Sequence, residues 1–183
     1  MELRWIKWLA LVIGAGVLCA PAFTQSAQSK PAAVPLLWVL QKHQGSMVAE
    51  ESCAIVFAGG KYRSETFRRR RTVATIGFEE DSLDVKEGQV SEAALNGLSS
   101  LLSGPEFREL TSPKLVRRIV DENYDALQIM VFRNGQLQQL KYPNKNSRKG
   151  HEQQLKPLLD WWQELRRSPG EPVKNAQKTR CTP

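Results

Sequence analysis

The chain has 183 residues, of which 41% are hydrophobic and 25% are charged. This length suits one domain with a hydrophobic core and is short for two of average size, and the composition excludes a chain that is disordered throughout. Lysine and arginine outnumber aspartate and glutamate by 26 to 19, and the resulting charge of +7 favours anionic surroundings or partners.

The start of the chain, residues 1–22, has the three parts of a cleavable secretory signal peptide. Arg4 and Lys7 give a positive first region, and an uncharged, mostly apolar run follows from Leu9 to Ala20. Ala20-Pro21-Ala22 then places small residues two apart, as cleavage sites do. We therefore predict an exported protein, periplasmic or secreted, with no transmembrane span after cleavage.

Two other interpretations of this leader stay open. A permanent membrane anchor needs about 20 apolar residues and fits the shorter run less well. A lipoprotein would carry its lipid on Cys19, but Leu18 stands where such signals have a small residue.

Residues 23–46 are predicted to be a flexible spacer followed by an edge segment. The first part, residues 23–35, is rich in serine, glutamine, alanine and proline. The apolar run at 36–40 is too short to classify by its period, and we expect it to cover one edge of the core.

The first predicted hairpin covers residues 52–67. Ile55 and Phe57 lie on one phase of an alternating strand pattern, and Gly59-Gly60 follows. Because glycine accepts the positive φ of tight turns, this pair predicts a two-residue connection. The turn then places Phe57 opposite Tyr62.

Residues 68–90 are harder to assign. Residues 72–78 have the composition of a strand extension, and an acidic turn is predicted to follow. That turn would comprise Glu79, Glu80, Asp81 and Asp84. Such a group lacks the spaced oxygen ligands and the glycine of a calcium-binding loop, so we predict no metal site there.

The first predicted helix covers residues 91–103. Ser91 has the side chain of an N-cap, and Glu92 places a negative charge in the first turn. Gly104-Pro105 ends the helix. The apolar positions that recur at helical spacing are Leu95, Leu98, Leu101 and Leu102.

The second predicted hairpin covers residues 126–142. Asn134-Gly135 is a strong signal for a two-residue hairpin turn. With that turn, Leu140 lies opposite Ile129 and Tyr142 lies opposite Leu127. Residues 114–120 fit either a strand or a short helix.

The second predicted helix covers residues 153–167, and residues 168–183 are predicted to be a C-terminal tail. Trp161 lies about 100° around the helix from Trp162, so one of the two is expected to be more exposed. The apolar stripe consists of Leu155, Leu158, Leu159, Trp162 and Leu165. The fold class predicted from all elements is α+β over residues 47–167, with two antiparallel β-hairpins, in one sheet or in two, packed against two main helices.

Two cysteines, Cys53 and Cys181, remain if the leader is removed. In an oxidising compartment they predict one disulfide, which would tie the tail to the first hairpin. The alternative is two unpaired thiols. A catalytic cysteine is disfavoured, because the sequence has no C-x-x-C motif and shows no histidine paired with Cys53.

The strongest functional signal is a concentration of positive charge along the first hairpin. Arginine binds phosphate, sulfate and carboxylate groups bidentately, so the pattern predicts an anion-binding patch. Its partners would be an anionic polymer, a membrane surface or an acidic protein, with nucleic acid unlikely outside the cytoplasm. The alternative is a solvated run that pairs with the nearby acids. The candidate residues are Lys61, Arg63, Arg68, Arg69, Arg70 and Arg71.

Catalytic, metal and cofactor motifs do not stand out. His151-Glu152 lacks the second histidine of a metalloprotease helix, His43 has no evident partner, and no phosphate-binding glycine loop is present. The sequence therefore predicts no catalytic residue, metal or cofactor, and leaves enzymatic activity undecided.

The function favoured by these observations is a non-enzymatic binding module with a basic patch. An accessory subunit that buries Trp38 or Trp161 against another protein is the first alternative. A small extracytoplasmic hydrolase with dispersed catalytic residues is the second.

Overall fold

The computed structural model describes residues 34–71, 78–113 and 124–174. The chain divides into two units, Met1–Ala32 and Ala33–Pro183, and every described residue belongs to the second. The strands are β1 (Pro35–Gln44), β2 (Val48–Phe57), β3 (Lys61–Arg71), β4 (Phe78–Gln89), β5 (Tyr124–Arg133), β6 (Gln136–Tyr142) and β7 (Glu171–Pro172). The helices are α1 (Glu92–Ser103), α2 (Pro105–Arg108) and α3 (Glu152–Arg167), with a 3-10 turn at Asn146–Arg148.

The seven strands in the described ranges form one antiparallel sheet in the order β6-β5-β1-β2-β3-β4-β7. The predicted α+β class is therefore confirmed in its coarse form. The finer prediction of two hairpins on two helices is only partly right, since both hairpins belong to a larger sheet and a third, short helix is present.

The core lies between the three helices and one face of the sheet, here called the helix face. Side chains alternate along each strand, so Leu37 and Val39 point to this face while Trp38 and Leu40 point to the opposite, outer face. The main core joins the helix face to residues of all three helices. These helix residues are Leu98, Leu102, Phe107, Leu155, Leu158, Trp162 and Leu165.

The apolar run at 36–40 is the main error in the predicted layout. Instead of covering an edge, it lies in β1, which pairs with β5 on one side and β2 on the other. A strand that is buried on both faces is continuously apolar rather than alternating. Leu37, Trp38, Val39 and Leu40 are all buried, which explains the continuous run.

The predicted register of the first hairpin is wrong by one residue. Val56, not Phe57, pairs with Tyr62, because the connection contains Ala58 as well as Gly59-Gly60. Gly60 has φ +79°, as in three-residue loops that end in a left-handed position. Paired residues share a face of the sheet, so this shift of one residue places Val56 on the face of Tyr62 and Phe57 on the opposite, outer face.

The second hairpin has the predicted register. Ile129 pairs with Leu140 and Leu127 pairs with Tyr142. Asn134 and Gly135 have φ of 46° and 78°, the left-handed backbone that a tight hairpin turn requires.

The predicted acidic turn is part of a strand instead. Residues 79–84 lie within β4, where Glu80 pairs with Arg70 and Asp81 pairs with Arg69 across the β3–β4 ladder. Pairing with a neighbouring strand depends on residues distant in sequence, so local turn propensity does not predict it. Residues 72–77 and 114–123, which include the other predicted strand and the ambiguous segment, lie outside the described residues.

Both long helices were predicted correctly, together with the N-cap of α1 and the difference in exposure between Trp161 and Trp162. The Ser91 hydroxyl accepts a hydrogen bond from the backbone N–H of Ala94, so Ser91 is the N-cap of α1. In α3, Trp162 is fully buried and Trp161 is partly exposed, as the 100° offset predicts. Pro157 lies within α3, at its sixth residue.

The predicted tail begins with structure. After α3, the chain forms β7, in which Glu171 and Pro172 pair with Glu87 and Lys86 of β4. Residues 175–183 lie outside the described part of the chain, as do the predicted leader and most of the predicted spacer. The leader, the export and the cleavage site therefore stay predictions. Within the described ranges, no helix has the length and apolar character needed to cross a membrane.

Candidate functional site

A groove of about 1040 Å³ lies at the end of the sheet where β2 turns into β3. It is lined by the ends of β2, β3 and β4 and by α1, α3 and the segment that follows α3. Phe57, Lys61 and Arg63 lie on the outer face and α3 lies on the helix face, so the groove runs around the end of the sheet. The groove is thus built from segments more than 100 residues apart in the chain.

The apolar part of the groove is aromatic. Phe57, Tyr62 and Trp161 line it, and Trp161 and Phe57 are both partly exposed. Tyr62 is buried, and its burial raises the pKa of the phenol above the ordinary value of 10.0, so its hydroxyl stays protonated well beyond neutral pH. The groove therefore offers exposed rings for stacking beside a protonated hydroxyl.

Two glycines hold Tyr62 in place. A Cβ on Gly88 would lie 2.8 Å from the Tyr62 ring, and a Cβ on Gly170 would lie 2.7 Å from its hydroxyl oxygen. Both distances are too short for any side chain, so glycine at these positions permits the close packing of β4 and the post-helix segment on the ring.

Two basic residues of the predicted patch also line the groove. Lys61 is exposed and has no ion pair among the residues that the structure describes. Arg63 is bonded to Glu65 at 2.8 Å and to Glu87 at 2.7 Å. Burial alone lowers the pKa of Arg63, but the two carboxylates outweigh it and raise the pKa. Lys61 is therefore the cation available to a ligand.

Acidic residues complete the rim. Glu164 of α3 and Glu171 of β7 line the groove and are exposed. The groove is therefore amphipathic with mixed charge, and its selectivity depends on where a ligand places its charged group.

The arginine run lies at the far end of β3, about 30 Å from Lys61 along the strand. Alternation sends Arg68 and Arg70 to the helix face and Arg69 to the outer face. Arg68 bonds Glu50 at 2.8 Å, and the Arg69 guanidinium lies 5.0 Å from the centre of the Phe67 ring. The side chain of Arg71 is outside the described part of the structure. The five predicted cations whose side chains the structure describes are thus split between two ends and two faces of the sheet.

Glu50 organises the helix-face side of the arginine end. Its carboxylate accepts hydrogen bonds from Arg68, Arg166 and Ser52 at 2.8 to 2.9 Å. Burial on its own raises the pKa of Glu50, but these three bonds outweigh burial and lower it from 4.5 to about 2. This cluster ties α3 to β2 and β3.

A second cavity, of about 350 Å³, contains His43 together with Glu50 and Glu51. A histidine beside carboxylates is the arrangement that the hydrolase alternative requires. However, a carboxylate with a pKa near 2 is a weak base, and Glu50 is already held by two arginines. The geometry here favours a structural role for Glu50 over a catalytic one.

The two tryptophans proposed as interface residues differ in exposure. Trp38 is only 4% exposed, within the outer-face cluster, so it is not presented to a partner. Trp161 is partly exposed and lines the groove. The structure therefore brings together Lys61, Arg63 and Trp161, which the sequence had placed in two unrelated candidate sites.

Sequence reasoning missed Tyr62, Gly88 and Gly170 as parts of this site. The sequence placed Tyr62 only in the first hairpin, and the two glycines carry no local signal of their own. Only the pairing of β7 with β4 brings Gly170 to Tyr62.

Comparisons with protein-family models, with curated proteins and with solved structures find no match for this chain. In the described ranges, no three side chains of histidine, cysteine, aspartate or glutamate are grouped to hold a metal ion.

Proposed function

We propose that the protein is an exported, non-enzymatic binding module that takes an anionic ligand with an apolar body in the groove. The main observation behind this proposal is that Lys61 and Trp161 line the same groove of about 1040 Å³. That volume is at the upper end of the range for small-molecule sites.

The apolar body of the ligand would lie against Trp161 on the helix side and extend around the end of the sheet to Phe57 on the outer face. Aromatic rings provide large contact areas at low entropic cost, and covering the exposed part of each ring removes apolar surface from water. Both rings are held by the sheet and α3, so little ordering is needed on binding.

The acidic group of the ligand would lie at Lys61. This ammonium group has no protein carboxylate to displace among the described residues, whereas Arg63 is already bonded to two. Glu164 and Glu171 at the rim would repel an anion placed elsewhere, which fixes the orientation of the ligand.

We expect the mutant Lys61→Ala to lose about tenfold in affinity for dodecyl phosphate, because one charge-assisted hydrogen bond is removed. Its affinity for dodecyl maltoside, which has the same chain without the charge, should not change. Trp161→Ala should weaken both ligands by about tenfold. Titration calorimetry below the micelle concentration measures these affinities.

Arg70→Ala is the matched control, since Arg70 is an exposed cation on the same strand at its other end. It should bind both detergents like the native protein. If Arg70→Ala lowers the affinity for dodecyl phosphate and Lys61→Ala does not, the arginine run is the anion site. Equal binding of the charged and the neutral detergent would reject the anionic ligand.

A further inference from the structure

A row of buried side chains crosses the outer face of the sheet. Leu40, Cys53, Glu65 and Val85 are paired in register across β1, β2, β3 and β4. Their exposed fractions are 6%, 2%, 2% and 3%. An outer face in contact with water would leave such side chains partly exposed.

The elements in the described part of the chain do not account for this burial. The helices pack on the helix face, and the apolar cluster on the outer face contains strand residues only. Neighbouring strand side chains such as Trp38 and Ile55 cover part of the row, and a segment beyond the described ranges would account for the rest of its burial.

The C-terminal segment leaves the described structure beside this row. The backbone N–H of Val173 donates to the carbonyl of Val85 at 2.9 Å, and Lys174 is the last described residue. Cys53 lies two strands from Val85, about 10 Å away. Cys181 follows Lys174 by seven residues, which span up to about 24 Å when extended.

We propose that residues 175–183 cross the outer face of the sheet and cover this row, held by a disulfide between Cys181 and Cys53. The occupant is thus a part of the same chain, and this proposal is independent of the ligand in the groove.

The bond forms by thiol–disulfide exchange. The thiolate of one cysteine attacks an oxidised small-molecule disulfide such as oxidised glutathione and releases one reduced thiol. The second cysteine then attacks the mixed disulfide and releases the other. The two protein thiols lose two electrons and two protons, and the oxidant gains them as two thiols.

The first test counts thiols in the full chain carrying Cys19→Ser, which leaves only Cys53 and Cys181. In denaturant we expect no alkylated thiol without reductant and two after reduction, with one proteolytic peptide pair joined through both cysteines. Two alkylated thiols without reductant, in protein kept under oxidising conditions, would overturn the bond.

The second test measures whether the segment covers the row. Two variants in the Cys19→Ser background are compared: the full chain with Cys181→Ser, and a chain that ends at Lys174. In both, Cys53 is the sole thiol, and its native labelling rate is measured. We expect labelling to be at least about tenfold faster in the shorter chain.

Equal rates in the two variants would reject coverage by this segment. A dimeric mass in solution with slow labelling in both would assign the cover to a second copy and overturn the proposal. Circular dichroism checks that both variants fold. If the shorter chain does not fold, limited trypsin digestion of the Cys19→Ser protein decides: cleavage after Lys178 and Arg180 must be slower in the oxidised than in the reduced protein.

Discussion

Replacing Trp162 with alanine is expected to lower the free energy of unfolding by about 3–5 kcal/mol. The indole is fully buried between α3 and the sheet, and the loss of its ring leaves a cavity that the neighbouring strands cannot fill. Its N–H has no hydrogen-bond partner among the described residues, so packing provides the stabilisation. Urea unfolding followed by circular dichroism measures the change.

Trp161→Ala is the matched control for this prediction. The two residues are adjacent in α3 and of one type, but Trp161 is partly exposed and lines the groove. We expect Trp161→Ala to lower the free energy of unfolding by about 1–2 kcal/mol, less than Trp162→Ala, because part of its ring is exposed while the rest packs against the core. Similar losses of stability in the two variants would contradict the assignment of Trp162 to the core and Trp161 to the groove.

Glu50→Gln is expected to lower the free energy of unfolding by about 2 kcal/mol at neutral pH and by much less in acid. The pKa of Glu50 is lowered from 4.5 to about 2 in the folded protein, so the carboxylate stabilises the fold fully above pH 4.5. This contribution decreases as the pH falls from 4.5 towards 2, because the unfolded chain binds the proton in this range while the folded protein does not bind it until about pH 2. The figure is reduced below the full linkage value, since the side chain is 25% exposed.

Measurement of unfolding in urea at several pH values between 2 and 7 tests this dependence. Asp160→Asn is the control, because Asp160 forms an exposed pair with Lys156 one turn earlier in α3 and should contribute less than about 0.5 kcal/mol. A difference between Glu50→Gln and the native protein that stays constant across this range would show that the charge of Glu50 is not what stabilises the fold.

Elements with strong local signals were predictable from the sequence. Asn134-Gly135 specifies a turn of two residues, and that turn determines the register of Ile129 with Leu140. Ser91 specifies the start of α1. In each case a few adjacent residues have one favourable backbone conformation.

Elements whose structure depends on distant partners were not predictable. The run at 36–40 is short and continuously apolar, and its central place follows only from pairing with residues about 90 positions later. The predicted register of the first hairpin was wrong because a glycine pair is compatible with more than one turn length. In the site, Lys61 and Trp161 are 100 residues apart. Each residue was a candidate from the sequence, but the sequence did not predict that they line the same groove.

The central position of β1 also determines the order in which the sheet is completed. β1 to β4 are joined by short connections or lie next to each other, so they can pair early, while β5 can join β1 only after residues 124–133 have been made. Until then, the edge of β1 that contains Leu37 and Val39 has unpaired backbone groups and apolar neighbours. During synthesis this strand is therefore the place where two nascent chains would associate, and a chain that stops before Tyr124 is expected to aggregate rather than to fold.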